Sequence, residues 1–225
     1  MLYNKDKSSS IDQTSQSCTG RFISFEGIDG SGKTTQITLL AARLQSCGIR
    51  VKTMREPGGT AIGEEIRRIL LDHKHADMHI ETELLLFSAA RAQLVREIIL
   101  PALKAGIWII SDRFYDSTVA YQGYGRGLNL DMIHAINGLA SAQCKPNVTV
   151  LLDLPADTAC SRLSARVTSA DRIDCESLSF MDRTRRGYLK TAENEPERFI
   201  VVDAGQNEEQ LAQKIYSEIR EGFGI

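Results

Sequence analysis

Nowhere in the 225-residue chain does an apolar run approach the roughly 18 residues that a membrane span needs. The opening Met-Leu-Tyr-Asn-Lys-Asp-Lys-Ser-Ser-Ser lacks the apolar stretch of a secretion signal. Positive charge is not in surplus either. The 27 Lys and Arg against 29 Asp and Glu leave a formal net charge of −2, so no general basic field draws in a nucleic-acid polymer. Any affinity for phosphate has to come from local clusters. Close cysteine pairs are missing too: the five cysteines (Cys18, Cys47, Cys144, Cys160, Cys175) are an odd number with no C-x-x-C spacing. This argues against a zinc knuckle, a redox pair or a disulfide framework and predicts reduced thiols. Together these absences predict a cytoplasmic protein that binds neither a membrane nor a nucleic-acid polymer.

What is present is an ordinary globular composition, 42% apolar and 25% charged, at a length suited to one α/β domain with room for a lid. Residues 1–20 are polar and aperiodic and read as a disordered leader, which leaves 21–225 as the folded domain. Short apolar runs recur at Phe22–Phe25, Val51–Met54, Ile107–Ile110, Val148–Leu152 and Phe199–Val202. Such runs suit strands buried on both faces of a parallel sheet. Helical patterns fill the gaps at 34–44, 62–71, 82–103, 132–140, 156–165 and 208–219. Alternating strands and helices predict a doubly wound α/β fold, with its site beyond the carboxyl ends of the strands. Glu26, Glu56, Asp112, Asp153 and Asp203 all fall at or just past those ends.

Gly27-Ile28-Asp29-Gly30-Ser31-Gly32-Lys33-Thr34 matches G-x-x-x-x-G-K-S/T in full, between a strand pattern and a helix pattern. Its glycines let the backbone wrap phosphate, and the helix N-terminus behind it supplies partial positive charge. Lys33 adds a full charge, and the Thr34 hydroxyl suits Mg²⁺. A chance Gly-rich turn is the bland alternative. The motif establishes nucleotide binding without fixing the reaction. Asn4-Lys5-Asp6-Lys7 imitates a guanine-reading N-K-x-D, but Lys replaces the final Asp and the segment precedes the first strand, which argues against a GTPase.

The acceptor side is less sharply written. Asp112-Arg113 closes the third strand pattern, where Asp can serve Mg²⁺ and Arg can bind an acceptor phosphate; a strand-end ion pair explains it equally well. Arg55-Glu56-Pro57-Gly58-Gly59-Thr60 follows the second strand pattern, and its Glu-Pro bond invites a cis geometry or an ordinary turn. Phe87 and Arg91 share a helical face, as a base-stacking ring beside a phosphate-binding guanidinium or as a core residue beside a solvent one. The polar stretch from Tyr115 through Arg126 reads as a loop able to contact a base edge. Arg162, Arg166 and Arg172, followed by Arg183, Arg185 and Arg186, fit either a closing arginine lid at about 162–174 or a solvated helix end.

In chain order, Phe25–Thr35, Arg55–Thr60, Leu86–Arg91, Asp112-Arg113-Phe114, Tyr121-Gln122-Gly123 and Asp171-Arg172-Ile173-Asp174 resemble thymidylate kinase of the bacterial type from about Arg21 to the C-terminus. The resemblance implies a P-loop nucleoside monophosphate kinase fold, with a five-stranded parallel sheet, helices on both faces and a lid. It implies Mg²⁺-ATP as donor, dTMP as acceptor and a homodimer. It places ATP on Gly27 through Thr35, Mg²⁺ on Thr34 and Asp112, and catalysis on Lys33, Asp112, Arg113, Arg166 and Arg172. The acceptor would meet Glu56, Pro57, Phe87 (stacking on thymine), Arg91 (phosphate and base side), Arg113 (phosphate), Thr118 and Gln122 (pyrimidine edge) and Tyr121 (sugar). Asp29 stands where some members carry a catalytic Arg, Ser164 where many carry a lid Arg, and Asp174 where Glu is commoner. A deoxynucleoside kinase, another nucleoside monophosphate kinase and a non-catalytic nucleotide-binding module remain rival readings at this point.

Overall fold

The computed structural model of the chain describes residues 20–165, 172–173 and 176–225. The expected leader, apart from Gly20, lies outside these residues, as do Arg166, Asp171 and Asp174.

Five strands form one parallel sheet: β1 (Phe22–Glu26), β2 (Val51–Arg55), β3 (Trp108–Asp112), β4 (Val148–Asp153) and β5 (Phe199–Asp203). Their order is β2-β3-β1-β4-β5. The chain leaves β1 toward one edge and later returns to build the other, so β1 lies at the switch point, where such sheets open a crevice. β1 is buried along its whole length. Its alternate residues serve opposite faces. Ile23 and Phe25 join a core with Leu40, Leu44, Val150, Leu152 and Ile215, while Phe22 joins Leu94, Ile99, Ile109 and Phe114. Each such side chain contributes ~1.5–3 kcal/mol on burial. Burial on both faces does not extend to the edges: Lys52, Thr53 and Arg55 of β2 and Val201 of β5 are exposed.

The helices are α1 (Lys33–Ser46), α2 (Ala61–Leu71), α3 (Ile80–Leu94), α4 (Leu100–Lys104), α5 (Tyr115–Thr118), α6 (Leu130–Ala140), α7 (Ala156–Ser164), α8 (Leu178–Asn194) and α9 (Glu208–Phe223). The long helix expected over 82–103 is present but interrupted. A π-helical turn at Val95–Ile99 joins α3 to α4, just ahead of Pro101, which has no N–H to donate and whose ring crowds the preceding turn. The stretch after Asp112 is not the loop that its glycines and hydroxyls suggested. It is helical through α5 and a π turn at Val119–Gly125, and Ser117, Thr118, Tyr121 and Gln122 are buried in it.

Candidate active site

A cavity of about 470 Å³ opens beyond the carboxyl ends of β1, β2 and β3, a size ordinary for a small-ligand site. One wall is the loop from β1 to α1. Gly27 sits at φ 137°, and a Cβ there would fall 2.5 Å from the Leu152 carbonyl oxygen, so only glycine fits. Gly32 caps α1 at φ 93°, with nothing within 4 Å of where its Cβ would stand, which leaves backbone open to the cavity. The first turn of α1 carries no acidic residue and no side-chain cap, which leaves its N–H groups and partial positive charge available to an anion. Asp29, Gly30, Gly32, Lys33, Thr34 and Thr35 line the wall, whereas Gly27, Ile28 and Ser31 lie behind it. Among the described residues, the buried Ser31 hydroxyl has no hydrogen-bond partner.

Lys33 is folded onto its own loop, its Nζ donating to the Gly27 and Ile28 carbonyls at 3.0 and 3.1 Å. Burial lowers its pKa, as does the charge of Arg113, against the pull of Asp29 and Asp112. The exposed Thr34 hydroxyl donates to Asp112 Oδ2 at 3.0 Å across the mouth of the loop. This pair of hard oxygens on the cavity wall fits Mg²⁺, which takes few protein ligands and keeps several waters.

Arg113 follows β3 with φ 72°, an outlier of the kind that marks functional sites. Its Nη1 donates to the Gly27 carbonyl (3.0 Å), Ser117 (3.2 Å) and the Tyr188 hydroxyl (2.9 Å). Its Nη2 donates to Asp29 Oδ1 (2.7 Å) and the Tyr121 hydroxyl (2.9 Å). Tyr121 in turn donates to Asp29 Oδ2 at 2.8 Å. Burial would raise the Asp29 pKa, but Arg113, Lys33 and the Tyr121 hydroxyl hold it well below the usual carboxylate range. Asp29, expected among the nucleotide-loop residues, is thus tied across the cavity to Arg113 and Tyr121.

Behind Arg113 stands Glu26, a wholly buried carboxylate at the end of β1. It accepts from Ser24, the Phe114 N–H, Ser117 and Tyr188 at 2.6–3.0 Å. Burial, with the nearby charge of Asp116, pushes its pKa up to about 7 despite these donors.

The opposite wall carries Glu56, Pro57, Phe87, Tyr121 and Gln122, all expected there. The Glu56-Pro57 bond is cis. Arg91 and Thr118 do not reach the cavity surface. Arg91 is fully buried, so the solvent-facing alternative does not hold. It donates Nε to Glu56 Oε2 (2.8 Å), Nη1 to Thr118 Oγ1 (2.9 Å) and Asn137 Oδ1 (3.0 Å), and Nη2 to the Phe114 carbonyl (3.2 Å). Burial raises the Glu56 pKa against the pull of Arg91. Glu56 Oε1 has no partner among the described residues.

None of the expected lid arginines among the described residues lines the cavity. Arg172 donates to Glu83 Oε2 at 2.6 Å and to the Leu70 carbonyl at 2.8 Å, and its neighbour Ile173 lines the cavity instead. Arg162 binds the Ala204 carbonyl, Arg183 the Gly125 carbonyl and Arg185 the Asp153 carboxylate. Arg166 lies outside the described residues. Arg67 and Leu71 on the wall and Tyr188 behind it were not singled out from the sequence; Arg55 on the wall and Glu26 behind it were quoted in motifs but given no role. Their signals were Glu26's place as an acidic residue at a strand end and Arg55's at the head of the Arg55–Thr60 motif.

A family model described as thymidylate kinase matches residues 25–215. The chain is 47% identical to a thymidylate kinase of Kosmotoga olearia, over 88% of this chain and 94% of that one. It is 50% identical to one of Geotalea daltonii, over 84% and 91%. It is 48% identical to one of Geobacter sulfurreducens, over 86% and 93%.

Proposed function

The chain belongs to the thymidylate kinase family and transfers a phosphoryl group from ATP to dTMP, giving dTDP and ADP; on that premise we propose how its residues divide the work. The observation that carries the division is the meeting of the β1–α1 loop and Arg113 in one cavity, joined through Asp29 at 2.7 Å. The triphosphate lies along the loop, over Gly30, Gly32 and the first N–H groups of α1, where Lys33 exchanges its loop carbonyls for phosphate oxygens. Thr34 and Asp112 would hold Mg²⁺, which would neutralise phosphate charge when bound.

The acceptor enters from the side of Phe87 and Gln122, its base stacked on Phe87 and its sugar against Tyr121. Its phosphate meets Arg113, which exchanges its Asp29 and Tyr121 contacts for phosphate oxygens while Gly27, Ser117 and Tyr188 keep the guanidinium in place. Two anionic groups repel, and the chain's contribution is to hold them in line among Lys33, Arg113 and the loop amides. Arg91 and Thr118 act from behind the wall: Arg91 fixes Glu56, which frames the base, and Thr118 braces Arg91. Arg166 is assigned to the transferring phosphate, and Arg172 to anchoring its segment on Glu83. We further assign the protein to the cytoplasm, as a homodimer, with residues 21–225 as one domain and a lid at about 162–174. No helix among the described residues is long and apolar enough to cross a membrane.

A coupled ADP-release assay with dTMP, dUMP, dCMP, thymidine and no acceptor tests the reading. Turnover is expected to be fastest with dTMP and slow without acceptor. Preference for thymidine, or equal ADP release without acceptor, would overturn it.

A further inference from the structure

Glu83 lies on α3 one helical turn before Phe87, is 2% exposed, and is not part of the cavity wall. Both of its oxygens are saturated. Oε1 accepts from Gln122 Nε2 (2.9 Å) and Arg126 Nε (3.1 Å), and Oε2 accepts from Arg126 Nη2 (3.1 Å) and Arg172 Nη2 (2.6 Å). Four donors fill a carboxylate's acceptor sites. Arg126 is itself held by Glu176 and Arg172 by the Leu70 carbonyl, so the carboxylate is fixed from three directions. Between two guanidinium groups Glu83 stays ionised and can only accept. Whatever Gln122 presents to it must therefore be the amide NH₂.

Gln122 lines the cavity beside Phe87. With its NH₂ committed to Glu83, the carbonyl oxygen occupies the other branch of the amide. We propose that Glu83 is a positioning residue that determines base specificity: it locks the Gln122 amide so that a carbonyl acceptor faces the nucleobase, which admits a pyrimidine carrying an N3–H donor and refuses one whose N3 is a lone pair. The inference rests on the assignment of this cavity to dTMP. Thymine and uracil carry the N3–H. Cytosine places a lone pair against the locked oxygen, leaving two acceptors face to face, and a buried mismatch of this kind discriminates more strongly than a change in bulk.

Glu83→Gln tests this in the full chain. The neutral amide can donate as well as accept, so Gln122 is free to turn over. Steady-state kcat and KM would be measured with dTMP and dCMP, and KM for ATP alongside. The ratio of kcat/KM for dTMP over dCMP is expected to narrow by about tenfold or more. The change should fall on nucleotide KM, with KM for ATP held within about twofold. Glu83→Asp, which keeps the charge but shortens the reach, is expected to narrow the ratio less; should Glu83→Gln fail to fold by circular dichroism, it decides. An unchanged ratio in the folded variant overturns the proposal, because a merely structural carboxylate would lower stability without altering the choice of base. A wild-type chain that does not phosphorylate dTMP would instead defeat the assignment of the cavity.

Discussion

Arg91 carries the least expected placement of any residue in the site. Its spacing from Phe87 was legible as a shared helical face, and that relation holds. Its depth was not legible, because a one-dimensional pattern does not show that Glu56, Thr118, Asn137 and the Phe114 carbonyl, spread over 82 residues of chain, converge to satisfy a guanidinium away from water. A buried arginine with this many partners frames the acceptor wall. Arg91→Ala is therefore expected to raise KM for dTMP by at least about tenfold and KM for ATP by much less. Equal rises in both would place its influence elsewhere.

Glu26 offers a second test, through pH. Its pKa is raised to about 7 in the fold against 4.5 for a free carboxyl, with burial as the main cause. Between these values the folded chain binds more protons than the unfolded one, so this group's contribution to stability is complete below about pH 4.5 and is lost as pH rises toward 7. The slope is at most ~1.4 kcal/mol per pH unit. Urea unfolding of the wild type and Glu26→Gln from pH 5 to 8 is expected to show a decline with pH in the wild type that the variant lacks. Parallel curves would mean that Glu26 is ionised throughout.

The strands were readable element by element, because short apolar runs between turn residues have few other uses and because a phosphate-loop motif needs a strand before it and a helix after it. Tyr115–Gly125 was misread, and the reason is packing. Its glycines serve close approach to two neighbours: a Cβ on Gly125 would come within 2.7 Å of the Phe180 ring of α8, and one on Gly123 within 2.6 Å of Leu130 at the start of α6, while on α8 itself a Cβ on Gly187 would come within 2.7 Å of Tyr124. The helix exists because α8 covers it, burying Ala120 and Tyr121 against Phe180 and Tyr188. Its other anchor is Asp116, 1% exposed, which takes both ends of the Arg198 guanidinium at 2.7 and 2.9 Å and the Thr149 hydroxyl at 3.2 Å. This links α5 to β4 and to the turn before β5. Removing one partner of a buried ion pair leaves an uncompensated charge, so Arg198→Ala is expected to cost ~3–5 kcal/mol in chemical denaturation. A loss under ~1 kcal/mol would mean that water reaches Asp116.

Across the whole molecule, the cavity joins two separately built halves. The β1–α1 loop hangs from the centre of the sheet, while Phe87, Gln122 and Glu56 are carried by α3, the π turn after α5 and the end of β2. Each half should therefore respond to its own ligand. A ligand that binds only the folded state at a hundred times its Kd stabilises it by ~2.7 kcal/mol. In thermal unfolding of the wild type, dTMP and Mg²⁺ with a non-hydrolysable ATP analogue are each expected to raise Tm. Among the described residues, the hydrogen bonds and ion pair of the Lys33 ammonium all go to the loop: the Gly27 and Ile28 carbonyls, and Asp29 at 4.0 Å. Lys33→Ala is accordingly expected to lose most of the ATP-analogue shift, keep the dTMP shift, and turn over at less than about a tenth of the wild-type rate, a barrier increase above ~1.4 kcal/mol. Loss of both shifts would show that Lys33 supports the fold of the cavity itself. An intact ATP-analogue shift with unimpaired turnover would remove Lys33 from the phosphate site.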